Sequence, residues 1–281
     1  MGEDRRALLL DDVRREAGAF SGTFAFAARN LTTGEELGLQ ADRVMPTAST
    51  IKLTVLAELF RRVEQGDFNL DERVPLLEED ERGGSGILKD LQAGLLPTLR
   101  DLATLMVALS DNVATAALVR LLGQEQIIAT MHDWGLASIE PLFRVPEGGD
   151  MYDYGRATPR DLVQLLALLD GGEVLAPGSR AAIATILRTQ QYNDQISRYL
   201  PYDPYARDRG EEQPVTVGSK SGFTRGIRVD AGLVWLPEQR YAIALMTAGS
   251  VDRSFAPEQE GMRLNGRVSR LVFDYWNHGS R

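Results

Sequence analysis

The sequence lacks cysteine and contains few residues that commonly bind metals. Its 281 residues include two histidines, His132 and His278, which are too far apart in sequence to form a zinc-ligand spacing. Thiol catalysis and disulfide bonds are therefore excluded, and a metal site is not expected. The absence of cysteine is compatible with either a reducing or an oxidising compartment.

The chain also lacks an excess of positive charge and a long apolar run. Its formal net charge is −9, whereas a nucleic-acid-binding protein needs a basic surface to neutralise phosphates. No apolar stretch approaches the roughly 20 residues that cross a bilayer. The leucines at 8–10 are followed at once by Asp11 and Asp12, so this segment is too short for a signal peptide. We expect a protein that binds neither nucleic acid nor membrane and is cytoplasmic, or periplasmic or secreted if a leader was removed.

Lysine is rare among the basic residues. The chain has three lysines, Lys52, Lys89 and Lys220, and the other 28 of its 31 basic residues are arginines. A buried lysine can lose its proton and act as a base, which arginine cannot do. The residues around the lysines are therefore the place to look for a catalytic base.

Strand patterns occur at both ends of the chain. Residues 23–27 and 36–39 flank a turn-rich segment and predict a β-hairpin. Further strands are predicted over 215–220, 229–236 and 240–247, and terminal helices over about 8–17 and 257–275. The pattern between about 48 and 199 is mainly helical. The sequence thus predicts an α+β protein, in which an antiparallel sheet is flanked by N- and C-terminal helices and carries an inserted all-helical lobe.

The chain length suits one large domain with a substantial core. We expect a single domain over residues 1–281, with a sheet lobe of about 1–47 and 213–281 and a helical lobe of about 48–212. Catalytic groups are expected in the cleft between the two lobes.

Two short motifs in the helical region could carry chemistry. Ser49 and Lys52 are three positions apart at a predicted helix start, so the hydroxyl and the amine share one face. A neutral lysine could take the proton of a serine nucleophile, although a capping serine beside an incidental lysine has the same pattern. The run Ser110-Asp111-Asn112 lies between two helices. It could cap helix ends, or Ser110 could relay a proton while the Asn112 amide binds a substrate carbonyl.

A third motif, Lys220-Ser221-Gly222, closes a predicted strand. The lysine and serine side chains could hold an anionic group of a substrate. A glycine on a strand lets a ligand approach the backbone closely.

The three motifs occur in the order S-x-x-K, S-D-N and K-[ST]-G, and two of the three lysines lie within them. In this combination the chain resembles the class A β-lactamases and the penicillin-binding proteins. The resemblance extends from the N-terminal to the C-terminal helix and includes Thr158-Pro159 and the run 225–230. It implies a β-lactamase/transpeptidase-like fold, a small-molecule β-lactam or related amide or ester as substrate, and no metal or organic cofactor.

The resemblance also implies a role for each motif residue. Ser49 would be the acylated nucleophile and Lys52 its proton acceptor, while Ser110 and Lys220 would relay protons or polarise the leaving nitrogen. The backbone N–H groups of Ser49 and Phe223 would form an oxyanion hole. The implied substrate-binding residues are Asn112, Ser221, Gly222, Phe223 and Arg228. Arg228 would pair with a substrate carboxylate, unless it is a solvated charge on a strand.

One part of the class A pattern is missing. The family's omega loop carries a glutamate, followed shortly by Leu-Asn, that activates water to hydrolyse the acyl-enzyme, and no such run occurs between residues 135 and 158. The candidates for this deacylation base are Glu140, Glu147, Asp150 and Asp153.

The primary hypothesis is a serine β-lactamase that opens cyclic amides through a Ser49 acyl-enzyme. The missing glutamate motif favours an alternative, a D,D-peptidase-like or esterase-like enzyme that acylates readily and releases its product slowly. A third hypothesis is a non-catalytic binding descendant of the fold, against which the intact pair of nucleophile and base argues. A monomer is expected, although the sequence does not fix the oligomeric state.

Overall fold

A computed structural model describes residues 2–144 and 153–277, and its main sheet combines strands from both ends of the chain. The strands of this sheet are β1 (Thr23–Asn30), β2 (Glu36–Leu39), β6 (Thr216–Thr224), β7 (Ile227–Trp235) and β8 (Arg240–Ala248). They lie in the order β2-β1-β8-β7-β6, and every neighbouring pair is antiparallel. The predicted hairpin and the predicted α+β class are confirmed. Strand β6 forms one edge of the sheet.

Helices cover both faces of this sheet. They are α1 (Gly2–Gly18), α2 (Lys52–Glu64), α3 (Leu99–Ala108), α4 (Asn112–Leu122), α5 (Gln124–Asp133), α6 (Pro159–Gly171), α7 (Pro177–Leu187) and α8 (Glu260–Asn277). The terminal helices α1 and α8 pack together on one face, and α6 lies against β1, β7 and β8 on the other. No helix within the described ranges is both long and apolar enough to span a membrane.

The terminal helices are fixed to the sheet by an apolar layer. Val13 of α1 and Val268 and Val272 of α8 are fully buried against Phe26 of β1 and Ile243 of β8. Burying one large apolar side chain stabilises a fold by about 1.5–3 kcal/mol. This layer therefore holds both chain ends on the sheet face opposite the helical lobe.

A second, larger apolar core lies between the other face of the sheet and the helical lobe. Helix α2 lies at its centre, and every residue from Lys52 to Phe60 is buried. Most of these side chains are apolar, so a helix surrounded by protein on all sides is the expected outcome. The buried part of α2 begins at its first residue, Lys52.

The region between residues 48 and 199 is mainly helical, as predicted, but the inserted lobe is not all-helical. Short strands β3 (Met45–Pro46), β4 (Glu140–Arg144) and β5 (Asp153–Ala157) form a second antiparallel sheet in the order β3-β5-β4. A two-residue strand has no periodicity, and its partner lies more than 100 residues away, so sequence pattern gives no signal for it. The sheet positions Thr47, whose backbone N–H and hydroxyl donate to the Gly155 carbonyl at 3.0 and 2.8 Å.

Strand β6 is longer than predicted. It continues to Thr224, so Lys220, Ser221 and Gly222 lie inside the strand rather than at its end. Their backbone is therefore held by the ladder to β7 on one side and is presented along the sheet edge on the other.

Candidate active site

Ser49 lies in a tight turn between the two sheets. The chain forms a single 3₁₀ turn over Ala48–Ile51, which leaves Ser49 8% exposed. The hydroxyl of Thr50 donates to the Lys220 carbonyl at 3.1 Å and so ties this turn to strand β6. Ala48 has a φ of +45°, a conformation that costs a non-glycine residue about 1–2 kcal/mol. Contacts with the surrounding structure offset this cost and hold Ser49 in place.

Lys52 begins helix α2 with its amine completely buried. The Nζ atom lies 2.7 Å from the Ser110 carbonyl, 3.2 Å from the Ser110 hydroxyl and 2.8 Å from the Asn112 side-chain oxygen. Among the described residues, Lys52 thus bonds to the second motif rather than directly to the Ser49 hydroxyl. Hydrogen bonds between catalytic groups are often long before substrate binds.

The surroundings of Lys52 favour its neutral form. Burial lowers the pKa of this lysine well below its ordinary value of 10.5, and the nearby charge of Lys220 lowers it further, while Asp111 acts in the opposite direction. Two of its partners, the Ser110 carbonyl and the Asn112 amide oxygen, can only accept hydrogen bonds. A neutral amine satisfies both with its two N–H bonds and keeps its lone pair to receive a hydroxyl proton.

The orientation of Asn112 is fixed from its other end. Its side-chain N–H₂ donates to the Gly83 carbonyl at 2.8 Å, which turns the amide oxygen toward Lys52. Its backbone N–H donates to the Ser85 carbonyl at 3.0 Å. The loop over residues 83–88 therefore clamps the second motif.

Ser110 has a strained backbone. Its φ is +54°, a region that few non-glycine residues adopt. This conformation allows both the carbonyl and the hydroxyl of Ser110 to face the Lys52 amine. Strain of this kind is concentrated at functional sites, where neighbouring contacts enforce it.

Asp111 enforces the conformation of its two neighbours. One carboxylate oxygen caps α4 by accepting from the Ala114 N–H at 3.0 Å, and the other accepts from the N–H groups of Ile87 and Leu88 at 2.7 and 2.9 Å. The side chain is fully buried, and it accepts from the buried N–H groups of Leu88 and Ala114 as well as from the part-buried N–H of Ile87. Asp111 is therefore a structural residue of the second motif.

Replacing this carboxylate should destabilise the protein. We expect Asp111→Ala to lower the free energy of unfolding by about 3 kcal/mol, because a helix cap is lost and the N–H groups of Ile87 and Leu88, the second of them buried, lose their acceptor. Urea denaturation measures the change. Asp71→Ala removes an exposed aspartate that, within the described part of the chain, forms an ion pair with exposed Arg100 alone, so it should change stability by less than about 1 kcal/mol. Equal effects of the two substitutions would contradict this role of Asp111.

Lys220 is also fully buried, on strand β6. Its Nζ donates to the Ser221 carbonyl at 2.6 Å. Burial lowers its pKa to about 7, against the charge of Asp230, which favours the protonated form. At neutral pH this amine can therefore either hold or release a proton. The structure brings this lysine close enough to Lys52 to affect the latter's pKa.

Gly222 is the point at which β6 meets the nucleophile turn. A Cβ atom on this residue would lie 2.7 Å from the Thr47 carbonyl, 2.8 Å from the Thr50 nitrogen and 2.9 Å from the Ser49 nitrogen. Only glycine permits this approach of two backbones. The approach places Phe223, the next residue of the strand, beside the Ser49 N–H that the resemblance assigns to an oxyanion hole.

Arg228 lies near the third motif but is not solvated. Its side chain is completely buried, so the interpretation as a solvated strand charge is wrong. One terminal nitrogen donates to the carbonyls of Thr224 and Ile227, both at 2.6 Å, and the other donates to the Ser254 carbonyl. The register of β7 places Arg228 opposite Phe223, in the interior of the ladder. Both terminal nitrogens of its guanidinium are thus committed to backbone carbonyls, whereas its buried Nε has no partner among the described residues.

The candidates for a deacylation base are only partly described. Glu140 is exposed on β4, where it pairs across the ladder with Arg156. Glu147 and Asp150 lie outside the described residues, and Asp153 begins β5 with a side chain that is likewise outside the description.

Sequence reasoning missed Tyr154. The ring of this residue lies 5.4 Å from the Lys52 amine, and it packs edge-on against Phe143 at 6.5 Å. The contact depends on the pairing of β5 with β3 and β4, which no local pattern indicated. The tyrosine ring covers the Lys52 amine on this side of the site.

Comparison with known proteins agrees with the motifs and the fold. The model of the β-lactamase enzyme family matches residues 8–276. The β-lactamase regulatory protein BlaB of Streptomyces cacaoi is 24% identical, over 94% of this chain and 95% of the relative. The β-lactamase CTX-M-97 of Escherichia coli is 25% identical, over 80% of this chain and 75% of the relative.

Solved structures show the same likeness. A β-lactamase from Sphaerobacter thermophilus superposes with a TM-score of 0.83 at 27% identity, over 96% of this chain and 97% of the other. A mutant of PBP-A, in an acyl-enzyme complex with penicillin G, superposes with a TM-score of 0.82 at 27% identity, over 97% of both chains. Because the family model spans nearly the whole chain, this protein belongs to the β-lactamase enzyme family.

Proposed function

We propose that the protein is a serine hydrolase that opens β-lactam amides through an acyl-enzyme on Ser49. The observation that carries this proposal is the buried Lys52 amine, whose two N–H bonds have carbonyl-type acceptors and whose lone pair remains available. A serine hydroxyl is a weak nucleophile until a base takes its proton. A protein that only binds ligands does not require such a base beside a serine.

In the proposed reaction the Ser49 hydroxyl attacks the lactam carbonyl carbon and its proton passes to Lys52. The carbonyl oxygen takes up negative charge, which the N–H groups of Ser49 and Phe223 stabilise. The ring C–N bond then breaks, and the nitrogen receives a proton. Ser110 is suited to deliver this proton, because its hydroxyl lies 3.2 Å from the Lys52 amine.

A second candidate function keeps acylation and changes the release step. Glu140 is exposed, and the other three candidate carboxylates have no described side chain, so no deacylation base is assigned. The likeness to PBP-A, seen as an acyl-enzyme with penicillin G, supports a D,D-peptidase-like or esterase-like enzyme with slow release. The likeness to the regulatory protein BlaB supports the third hypothesis, a binding role without turnover.

An intact-mass time course with penicillin G separates these functions. We expect a wild-type adduct of one penicillin that forms and then decays, and no adduct on Ser49→Ala. A persistent wild-type adduct would support the slowly deacylating enzyme against the β-lactamase. No adduct on either protein, together with no hydrolysis of penicillin G, would contradict acylation of Ser49 by penicillin G and support a different acyl substrate or the binding role.

A further inference from the structure

Three aromatic side chains surround the outer end of the third motif. Tyr192 and Phe223 pack edge-on with ring centroids 5.3 Å apart, and Phe223 packs edge-on against Phe255 at 6.3 Å. We call these three residues the aromatic wall. Phe255 is 57% exposed, and Tyr192 and Phe223 are half-buried, so the wall presents ring surface to solvent.

The wall borders the nucleophile and the proton-relay serine. Phe223 directly follows Gly222, whose backbone meets the Ser49 turn. The Tyr192 hydroxyl donates to the carbonyl of Leu109 at 3.4 Å, one residue before Ser110. A serine that delivers a proton to the leaving atom must face the leaving group of the substrate. The wall therefore lies on the leaving-group side of the site.

Two cations on this side, one on strand β6 and one on strand β7, are not open to a substrate. Lys220 and Arg228 are both completely buried. Both terminal nitrogens of Arg228 donate to backbone carbonyls, and the Phe255 ring lies 5.2 Å from its guanidinium carbon. A carboxylate placed here would have to displace Phe255 and break hydrogen bonds that Arg228 already makes. A flat apolar group would instead meet three ring surfaces.

We propose that the aromatic wall binds an aromatic leaving group, so that neutral aryl esters and amides are substrates and a substrate carboxylate is not required. This inference rests on the proposed acylation of Ser49. In the ester reaction the Ser49 oxygen forms a bond to the acyl carbon, the bond from that carbon to the phenolic oxygen breaks, and the serine proton reaches the phenolate through Lys52 and Ser110. Atoms and charges balance without any further reactant.

Phenyl acetate and 3-carboxyphenyl acetate test the proposal, because they share the acyl group and differ in one carboxylate on the leaving group. We expect kcat/KM for phenyl acetate to equal or exceed that for 3-carboxyphenyl acetate in the wild type. Loss of one aromatic contact reduces binding by about threefold to tenfold. Phe255→Ala should therefore lower kcat/KM for phenyl acetate by that factor. It should also reduce or reverse any preference for phenyl acetate over 3-carboxyphenyl acetate. Val251→Ala, in the same loop and 78% exposed, should change neither value.

Other outcomes would overturn the proposal in distinguishable ways. A wild-type preference of tenfold or more for 3-carboxyphenyl acetate would show that a cation, such as exposed Arg225 on the β6–β7 turn, binds the substrate carboxylate. Acylation of Ser49 by penicillin G but by neither ester would contradict the aromatic wall while leaving the proposed function intact. No acylation by any of the three compounds would contradict both.

Discussion

Lys52→Arg is expected to lower the rate of Ser49 acylation by penicillin G about 10²–10⁴-fold, the usual contribution of a general base. Arginine is also a long basic side chain but does not lose its proton in proteins, so it cannot accept the serine proton. The lysine amine has a lowered pKa and two fixed acceptors, which together leave its lone pair available. The rate of adduct formation by intact mass measures the effect.

The third lysine of the chain supplies a matched control. Lys89 is exposed and pairs with exposed Asp90 at 2.7 Å, outside the site. Lys89→Arg should therefore leave the acylation rate within about twofold of the wild type. A thermal melt of Lys52→Arg separates loss of the base from loss of the fold. A folded Lys52→Arg that acylates as fast as Lys89→Arg would exclude Lys52 as the base.

The pH dependence of the wild type tests the same residue without a substitution. Only neutral Lys52 accepts a proton, so acylation should rise with pH as this lysine deprotonates and then become constant. Because its pKa is lowered well below 10.5, the plateau should begin well before pH 10.5. Lys220 has a pKa of about 7, so a charged substrate would also sense, at a distance, the loss of this buried charge. Neutral phenyl acetate is therefore the substrate for this profile, and a rate that still rises near pH 10.5 would contradict a neutral Lys52.

Much of the fold could be predicted because its long elements have strong local patterns. Strand β1 and the C-terminal strands are runs of mostly buried residues bounded by turns, and the terminal helices bury one face with a period of 3.6 residues. The small sheet of β3, β4 and β5 could not be predicted in this way. Its strands are short, and what holds Thr47 to Gly155 is a pair of hydrogen bonds between residues 108 positions apart.

The candidate site likewise contains residues that the sequence could indicate and residues that only the structure revealed. Ser49, Lys52, Ser110 and Asn112 stood out because a few residue types recur at fixed spacing, and the structure brings the latter three into one hydrogen-bonded cluster. The covering side chains, such as Tyr154, follow no spacing rule and became visible only through tertiary contacts. The environment of Arg228 also became visible only in the structure. Its sequence position fits a substrate contact, but both terminal nitrogens of its guanidinium donate to backbone carbonyls.

Gly222→Ala is expected to lower the acylation rate of Ser49 by about 10²-fold or more. The added Cβ would lie within 3.0 Å of three backbone atoms, the Thr47 oxygen and the nitrogens of Thr50 and Ser49. None of these atoms can rotate away, so β6 and the nucleophile turn must separate. An oxyanion hole built from the N–H groups of Ser49 and Phe223 spans the two elements. Misplacing one donor of such a hole costs about 10²–10³-fold in rate.

The loss should come from geometry rather than from general unfolding. Overpacking of this size costs about 1–3 kcal/mol of stability, which a domain of ordinary stability survives. Gly178→Ala, on α7 with nothing within 4 Å of the new Cβ, controls for the change of residue type and should leave the rate unchanged. If a folded Gly222→Ala acylated at the wild-type rate, then catalysis would not depend on the contact between β6 and the Ser49 turn.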